Sequence, residues 1–481
     1  MNILFATSEA VPFAKTGGLA DVSASLPRAL AKLGHNVCVF MPLHRTVFQS
    51  GQTLKNLGFD LSIPIRKKTM FGTVWEGRIP KSPDVPYYFI QQDQYFDREG
   101  IYSWQGTDYD DNCERFVFFC RAVMESVERL QLDIDILHSN DWQTGLIPAY
   151  LRLMYGSRPR FQKIASVHTI HNLAYQGIFW HWDMKLTGIG WEHFTYDEME
   201  FYGKLNLLKT GIMFCDAITT VSPRYAEEIQ TDRYGCGMEG VLAFRKDRLH
   251  GILNGVCVGD WNPATDAHLA ATYSIDDVFE KKPLCKAALQ EEMGLPQRRD
   301  LPLIGIVGRL AYQKGIDLVC EAIPTWVEGH HVQFVILGTG DPALESRLCE
   351  LAARYPQHVA VRPEFSDPVA HRIEAGADLF LMPSRYEPCG LNQMYSQIYG
   401  TLPIVRQTGG LADTVTDGQT GFVFENDDVN DLNRTIWRAL DCFWHDSGHF
   451  QEMIRQAMRL DWSWRRSAEQ YVALYEQIRK K

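Results

Sequence analysis

Long apolar runs and cysteine pairs are both missing from this chain of 481 residues. No stretch reaches the roughly 18 apolar residues of a membrane-spanning helix, and the chain starts in an apolar strand without the basic segment of a signal peptide. The 11 cysteines include no Cys-x-x-Cys pair, which argues against a disulfide framework or a zinc ribbon. We therefore expect reduced thiols in an unprocessed, soluble, cytoplasmic protein that has no membrane partner.

An excess of positive charge is also missing. Lys and Arg number 48 against 59 Asp and Glu, a net charge of −11, and no long basic run indicates a nucleic-acid partner. The glycines after Lys15 match neither the dinucleotide-binding fingerprint nor the phosphate loop of ATPases. His168-x-x-His171 and Asp133-Ile134-Asp135 lack the further ligands or the position that a metal site needs, so we expect no metal and no cofactor.

Strands and helices alternate twice along the chain. In the first half, apolar runs predict strands at 3–6, 36–41, 136–138, 164–167 and 217–221. After a polar loop at 296–302, similar runs predict strands at 303–307, 332–337, 358–361, 379–382 and 403–405. Helical patterns such as 19–33, 114–129 and 316–327 lie between them. The pattern predicts an α/β protein with two parallel, doubly wound domains, at 1–250 and 251–460, followed by a C-terminal helix at 461–481.

One six-residue sequence, Thr-Gly-Gly-Leu-Ala-Asp, occurs once in each predicted domain. It begins at Thr16 and again at Thr408, each time between a strand and a helix. Paired glycines at a helix start let a ligand come close to backbone N–H groups, although a glycine pair can also be a simple tight turn. We expect both copies to contact a ligand.

The second domain carries cations and a carboxylate directly after predicted strands. Arg309 follows the first strand and Lys314 comes five residues later, which suits a diphosphate. Glu387 follows a later strand and can accept hydrogen bonds from sugar hydroxyls, while the amides of Cys389 to Leu391 open a helix toward phosphate. An exposed cation pair on a loop and a helix-capping carboxylate are the simpler alternatives.

The first domain has a histidine after a strand and several groups of aromatic residues. His171 lies in His-Asn-Leu-Ala-Tyr-Gln-Gly, although a lone histidine in such a place is more often structural. Tyr95-Phe96, Tyr102-Ser103-Trp104 and Phe179-Trp180-His181-Trp182 look exposed, and aromatic faces suit a carbohydrate ligand. Tyr95 and Phe96 are therefore candidates for contacts with an acceptor sugar.

Taken together, these motifs resemble the bacterial glycogen synthase family, the ADP-glucose-dependent relatives of plant starch synthases. The segments that carry the resemblance begin at Lys15, His171, Glu387 and Thr408 and span essentially the whole chain. The resemblance implies a GT-B glycosyltransferase with two Rossmann-like domains facing a deep cleft, and a C-terminal helix that packs back on the first domain. It implies retaining transfer of glucose from ADP-glucose to the non-reducing 4-OH of an α-1,4-glucan, without a metal.

The resemblance also implies roles for individual residues. His171, Glu387, Arg309 and Lys314 would be catalytic, with the two cations on the diphosphate. Contacts with ADP-glucose would come from Lys15, Gly18, Asp21, Asn254, Phe365, Cys389, Gly390, Leu391, Thr408 and Gly409. Asp141 is an acceptor-side candidate beside Tyr95 and Phe96.

The chain departs from the family pattern at several positions. Asn140 and Gln143 flank Asp141-Trp142 where the family has histidines, and Cys257 replaces a usual aspartate. Tyr395 stands where related transferases have a second glutamate. Phe365 replaces a tyrosine that commonly stacks on the base, which keeps the stacking but loses the hydroxyl.

Three other functions remain open at this point. The donor could be UDP-glucose, the enzyme could be a phosphorylase, or the chain could be a glucan-binding scaffold that kept the fold. A phosphorylase would need a much longer chain with a lysine for pyridoxal phosphate. Retention of the cations, His171 and Glu387 together argues against a scaffold.

Overall fold

The computed structural model describes residues 1–79, 82–329 and 332–479. The chain divides into two compact units. Unit 1 holds Met1–Gly255 together with the chain from Trp464 onward, and unit 2 holds Val256–Ser463. The predicted boundaries at 250 and 460 lie a few residues earlier than these crossings.

Unit 1 is built on a nine-stranded sheet in the order β14-β13-β9-β8-β1-β2-β5-β4-β3. Its strands, together with the short pairs outside that sheet, are β1 (Asn2–Ala6), β2 (Asn36–Pro42), β3 (Leu54–Ile65), β4 (Lys68–Ile79), β5 (Ser82–Gln91), β6 (Ser103–Trp104), β7 (Thr107–Asp108), β8 (Ile136–Asn140), β9 (Ala165–Ile170), β10 (Ile178–Phe179), β11 (Glu200–Phe201), β12 (Lys204–Asn206), β13 (Ala217–Thr220) and β14 (Leu249–Gly251). From β14 to β5 the strands pair in parallel.

The prediction of a purely parallel sheet is wrong at one edge of unit 1. Strand β4 pairs antiparallel with both β3 and β5. The β3–β4 hairpin alternates buried and exposed residues, the pattern of a sheet with only one covered face. Sequence reasoning followed continuous apolar runs and therefore missed these alternating strands.

The helices of unit 1 between these strands are α1 (Gly18–Lys32), α2 (Arg45–Gln49), α3 (Asp93–Phe96), α4 (Asn112–Arg129), α5 (Leu146–Tyr150), α6 (Met184–Thr187), α7 (Leu207–Phe214), α8 (Pro223–Glu228) and α9 (Glu239–Phe244). In α1, Leu19, Val22, Leu26 and Leu30 recur every three or four residues, and all four are buried. Helix α1 ends at Gly34, whose φ of 88° is a left-handed conformation that glycine adopts without strain.

Unit 2 has a six-stranded parallel sheet in the order β17-β16-β15-β18-β19-β20. Its strands are β15 (Leu303–Val307), β16 (Gln333–Leu337), β17 (Val359–Arg362), β18 (Leu379–Met382), β19 (Leu402–Arg406) and β20 (Phe422–Phe424). Its helices are α10 (Val278–Glu292), α11 (Ile316–Val327), α12 (Pro342–Arg354), α13 (Asp367–Gly376), α14 (Asn392–Ile398), α15 (Gly409–Thr414), α16 (Val429–His445) and α17 (Ser447–Met458). Numbered within the unit, the strand order is 3-2-1-4-5-6, the doubly wound order of dinucleotide-binding folds.

The last helix, α18 (Trp464–Ile478), returns to unit 1. It buries Ala468, Tyr471, Leu474 and Tyr475 in the same core as β1 and α1. The Tyr475 hydroxyl lies 2.6 Å from His138 Nδ1 on β8, and Arg479 pairs with Asp135 at 2.7 Å. Asp135, the second aspartate of the Asp133-Ile134-Asp135 sequence, thus forms a structural ion pair. None of the helices in the described ranges is long and apolar enough to cross a membrane.

Candidate active site

Both sheets have a point where the connections leave in opposite directions, and ligands bind at such points in open α/β sheets. In unit 2 this point lies between β15 and β18, which are neighbours although other strands separate them in sequence. In unit 1 it lies between β1 and β8. The loops that follow these four strands, together with the helix starts beyond them, contain more than half of the residues predicted from the sequence.

Lys314 and Glu387 meet at the switch point of unit 2. The Lys314 ammonium lies 2.5 Å from Glu387 Oε2, and the Ser384 hydroxyl donates to the same oxygen at 3.1 Å. Glu387 is buried, whereas the Lys314 side chain stays 27% exposed. These residues line a cavity of about 180 Å³ together with Gly308, Arg309 and Gly390. The structure therefore brings together Arg309, Lys314 and Glu387, as the sequence predicts.

Side chains that sequence reasoning missed hold the two loops of this cavity together. Arg309 donates to Gln313 at 3.1 Å, and the Gln313 amide donates to the Tyr386 carbonyl at 2.7 Å. Arg385 forms a two-point ion pair with Asp317 at 2.7 and 2.8 Å. Their positions inside the Arg309 and Glu387 motifs were the only signal available in the sequence.

The backbone at the start of α14 is open to a ligand. No described residue accepts a hydrogen bond from the amides of Gly390 and Leu391, and no side chain caps the helix. Gly390 has a φ of 70°, a conformation that glycine adopts without strain. The buried Cys389 precedes these two residues. Gly390 and Leu391 therefore offer donors beside Glu387, the arrangement expected for an anion.

The second Thr-Gly-Gly sequence does not leave its glycines open. A Cβ on Gly409 would lie 2.0 Å from the Glu387 carbonyl oxygen, and one on Gly410 would lie 2.1 Å from that of Cys389. Thr408 is buried as well. In this copy the backbone of the Glu387 loop fills the space that a side chain would need, so the glycines permit a close approach of two chain segments. Contacts from Thr408 and Gly409 to ADP-glucose stay a prediction.

Phe365 stands on the loop between β17 and α13. Its side chain is 82% exposed. A ring that stacks on a base needs such a free face, and the contact of Phe365 with the base stays a prediction.

In unit 1, the first glycine pair is open. A Cβ on Gly17 or Gly18 would meet nothing within 4 Å, and both residues are exposed at the start of α1. Lys15 pairs with Asp21 of the first helical turn at 2.9 Å, with both side chains partly exposed. This copy of the repeat therefore has the geometry that sequence reasoning expected of both.

A buried acid shapes the Lys15 loop. Glu9 is 3% exposed and accepts hydrogen bonds from the Thr16 hydroxyl at 2.8 Å and from the Gly17 amide at 3.2 Å. The Tyr102 hydroxyl donates to it at 2.8 Å. Sequence reasoning missed Glu9, although a carboxylate directly after a buried strand was a signal that could have indicated it.

Asp141 and His171 lie together after β8 and β9. The Asp141 carboxylate accepts a hydrogen bond from the His171 backbone amide at 2.7 Å. Burial raises the pKa of the Asp141 carboxyl to about 7 and lowers the pKa of the His171 imidazole to about 3. The backbone of Asp141 has φ 54° and ψ −176°, a conformation that residues other than glycine rarely adopt. Strain and a shifted pKa in one residue are typical of a functional site.

Asn254 lies on the loop that follows β14. Its side chain is 8% exposed, and no described residue donates to its Oδ1. The start of α18 holds this loop, since the Ser467 hydroxyl donates to the Leu253 carbonyl at 2.5 Å. A buried acceptor without a donor is costly unless a ligand supplies one.

Two of the acceptor-side candidates are wrong. Tyr95 is 3% exposed and Phe96 is 1% exposed, so neither can stack on a sugar. Their rings pack in the core with Phe116 and Phe118, and the Tyr95 hydroxyl bonds to Glu114. The two adjacent aromatics, predicted from the sequence to be exposed, form the buried end of the short helix α3.

Comparisons with known proteins agree with this geometry. A family model described as the starch synthase catalytic domain matches residues 2–244, and one for glycosyl transferases group 1 matches 291–457. A glycogen synthase of Rhodopirellula baltica is 44% identical, covering 99% of this chain and 97% of its own length. A glycogen synthase of Koribacter versatilis is 45% identical, with 100% and 99% covered. The chain belongs to the glycogen and starch synthase family.

Solved structures show the same fold. The catalytic domain of starch synthase IV from Arabidopsis thaliana, bound to ADP and acarbose, superposes with a TM-score of 0.89 at 31% identity, covering 99% of this chain and 98% of that one. A sucrose-phosphate synthase from Thermosynechococcus elongatus, at 18% identity and a TM-score of 0.60, shares the fold alone. The protein thus has the GT-B glycosyltransferase fold, as the sequence predicts.

Proposed function

We propose that this family member is a glycogen synthase that transfers glucose from ADP-glucose to the non-reducing 4-OH of an α-1,4-glucan and releases ADP. The relatives named above support the reaction, and the ADP and acarbose of the starch synthase support a nucleotide sugar and a glucan as substrates. The observation that carries the proposal is the cavity at the switch point of unit 2, where Arg309, Lys314 and Glu387 meet.

Arg309 and Lys314 would bind the diphosphate of the donor. Two cations in one cavity can neutralise the charge that develops as ADP departs, the role that a metal has in other transferases. The open amides of Gly390 and Leu391 would add uncharged donors to the same oxygens. We propose on this basis that the reaction needs no metal. Within the described ranges, no three His, Cys, Asp or Glu side chains cluster closely enough to hold one.

Glu387 would orient the transferring glucose rather than attack it. Its carboxylate is engaged by Lys314 and Ser384, and such a group is a poor nucleophile but a good acceptor for sugar hydroxyls. We therefore propose retention by attack on the same face. The bond from the anomeric carbon to the phosphate oxygen breaks, the bond to the acceptor O4 forms, and a phosphate oxygen of the departing ADP takes the hydroxyl proton.

Unit 1 also has groups whose chemistry suits these substrates. Lys15 and the open backbone at Gly18 suit the nucleotide sugar, and the unpaired Asn254 Oδ1 suits a sugar hydroxyl. His171, kept neutral by burial, can exchange hydrogen bonds with the glucose without adding charge. The eleven cysteines are all free thiols, which supports the proposal that the protein works in the reducing cytoplasm.

The test measures incorporation of glucose into glycogen by the purified protein, with ADP-glucose and UDP-glucose in parallel and with EDTA in a second series. We expect incorporation from ADP-glucose that EDTA does not reduce. Lys314→Ala should lower kcat about 100-fold or more, the usual loss for one charge-stabilising group in an active site. Lys281→Ala is the matched control, because Lys281 is a half-exposed lysine of unit 2 in the first turns of α10 that pairs with Asp277, the residue before that helix.

Each other outcome corrects a defined part of the proposal. Incorporation from UDP-glucose alone would keep the reaction and overturn the donor. Inhibition by EDTA would overturn metal independence, and full activity of Lys314→Ala would overturn the diphosphate assignment. Glucan binding without incorporation from either donor would make the protein a scaffold.

A further inference from the structure

Asn140 is the last residue of β8, at the switch point of unit 1, and it is fully buried. Strand β8 lies between β1 and β9, so the Asn140 side chain can reach the ends of both neighbours. Its Nδ2 donates to the carbonyl of Ala6, the last residue of β1, at 3.0 Å. Its Oδ1 lies 2.9 Å from Nε2 of His171, the first residue after β9.

The contact with Ala6 fixes which way the amide faces. A backbone carbonyl only accepts hydrogen bonds, so the nitrogen of the Asn140 amide must face Ala6 and the oxygen must face His171. An amide oxygen likewise only accepts. The proton of the neutral His171 ring therefore lies on Nε2, and Nδ1 carries the lone pair.

No other described residue hydrogen-bonds to the His171 ring. The Asp141 carboxylate binds the backbone amide of His171 and not the imidazole. The two further titratable neighbours have partners of their own, since His138 contacts Tyr475 and Thr169, and His168 contacts Ser139. The orientation and the proton position of the His171 ring thus depend on Asn140.

We propose that Asn140 is a positioning residue that locks His171 in the Nε2–H tautomer, so that Nδ1 accepts a hydrogen bond from a hydroxyl of the bound glucose. This inference rests on the proposed function and deepens it. The oxygen of Asn140 cannot become a donor, so the tautomer of His171 does not depend on the protonation of this neighbour.

The tautomer is measured directly on the free protein. Ring-labelled histidine in the full chain gives separate ¹⁵N resonances for the two nitrogens, and the spectrum of His171→Gln identifies the His171 signals. We expect a protonated Nε2 and an unprotonated Nδ1. A protonated Nδ1 would overturn the inference. Because this measurement needs no substrate, it stands apart from the test of glucose transfer.

Kinetics of Asn140→Asp provide the second readout. A carboxylate beside Nε2–H stabilises the imidazolium and raises the pKa of His171, and an imidazolium has no acceptor nitrogen. We expect kcat/KM of this variant to fall tenfold per pH unit on the acid side of a new pKa between pH 5 and 8 that the wild type lacks. Any titration of Asp141, whose pKa burial raises to about 7, is common to both proteins and appears in both profiles. Ser139→Ala removes a neighbouring buried hydroxyl that faces His168, and its profile should match the wild type.

The outcomes separate the two proposals. If the wild type transfers no glucose, the proposed function fails whatever the tautomer is. If the wild type is active but Asn140→Asp has the wild-type pH profile, the positioning role is wrong. Asn140→Leu, which keeps the side-chain size but has no acceptor, should lower kcat/KM at least tenfold at every pH, and an unchanged value would also overturn the inference.

Discussion

Asp141 combines a buried acid with a backbone conformation that usually only glycine adopts. The conformation turns the chain so that its carboxylate can bind the His171 amide on the neighbouring strand connection. Such a backbone conformation costs on the order of 1–3 kcal/mol. Asp141 keeps it because the hydrogen bond between its carboxylate and the His171 amide holds the two loops together. The sequence made Asp141 an acceptor-side candidate but could not show its strain, which depends on where β8 and β9 end.

The pKa of Asp141 makes a prediction about stability. The carboxyl titrates near 7 in the folded protein and near 3.9 in an unfolded chain. Between these values the folded state holds a proton that the unfolded state releases, so the free energy of unfolding falls as pH rises, by up to about 1.4 kcal/mol per pH unit from this group. Asp141→Asn removes the titration. The stability of the wild type relative to this variant should therefore decline from pH 5 to 7 and level off above pH 8.

Denaturant unfolding at pH 5, 6, 7 and 8 measures this difference. Other titrating groups, such as the buried Glu374 with a pKa raised by burial to about 8, contribute equally to both proteins and cancel. Parallel stability curves for the two proteins would show that Asp141 ionises normally in the folded state.

At the scale of elements, one hexapeptide serves two different purposes. The first copy begins α1 with open space above Gly17 and Gly18, and the second begins α15 beneath the Glu387 loop. In the second copy the glycines are needed because a backbone, not a ligand, occupies the space where a side chain would be. An identical sequence therefore leaves open space above the backbone in one unit and permits close chain packing in the other.

Exchange of one glycine for alanine in each copy should separate these purposes. Gly410→Ala places a methyl group against the Cys389 carbonyl and should lower the free energy of unfolding by about 1–3 kcal/mol. Gly18→Ala lies in a helix with free space and should be neutral or stabilising by up to about 1 kcal/mol. Thermal unfolding compares the two variants, and equal losses in both would contradict the packing argument.

The elements also show how far the sequence could lead. Continuous apolar runs located β1, β8, β15 and β18 to within about two residues, and the switch points between these strands follow from topology. The half-exposed hairpin β3–β4 and the burial of Tyr95 and Phe96 on α3 could not be found that way, because alternation and burial depend on what covers each face. Glu9 was overlooked, and Asn140 was noted only as a departure from the family pattern, because the contacts of Asn140 are with residues far along the chain.

For the whole molecule, the substrate proposed is a polymer, and a polymer can contact the protein beyond the switch points. The exposed aromatic residues of unit 1 offer such a surface. Trp180 is 62% exposed and Trp182 is 43% exposed, with ring centroids 6.3 Å apart, and Trp191 continues the row at 5.4 Å from Trp182. Indole faces pack well on the C–H surfaces of neutral sugars.

We predict that Trp180→Ala combined with Trp182→Ala weakens binding to glycogen about tenfold, since two lost stacking contacts of about 0.7 kcal/mol each add up to 1.4 kcal/mol. The KM for ADP-glucose should not change, because neither ring belongs to the donor contacts. Trp437→Ala on α16 is the control, a 56% exposed tryptophan of unit 2 whose loss should leave glycogen binding intact. Electrophoresis through gels that contain glycogen measures the affinity. Equal retardation of the double variant and the wild type would mean that the polymer binds elsewhere. A loss of glycogen affinity in the Trp437→Ala control would show that the effect does not depend on where the exposed tryptophan lies.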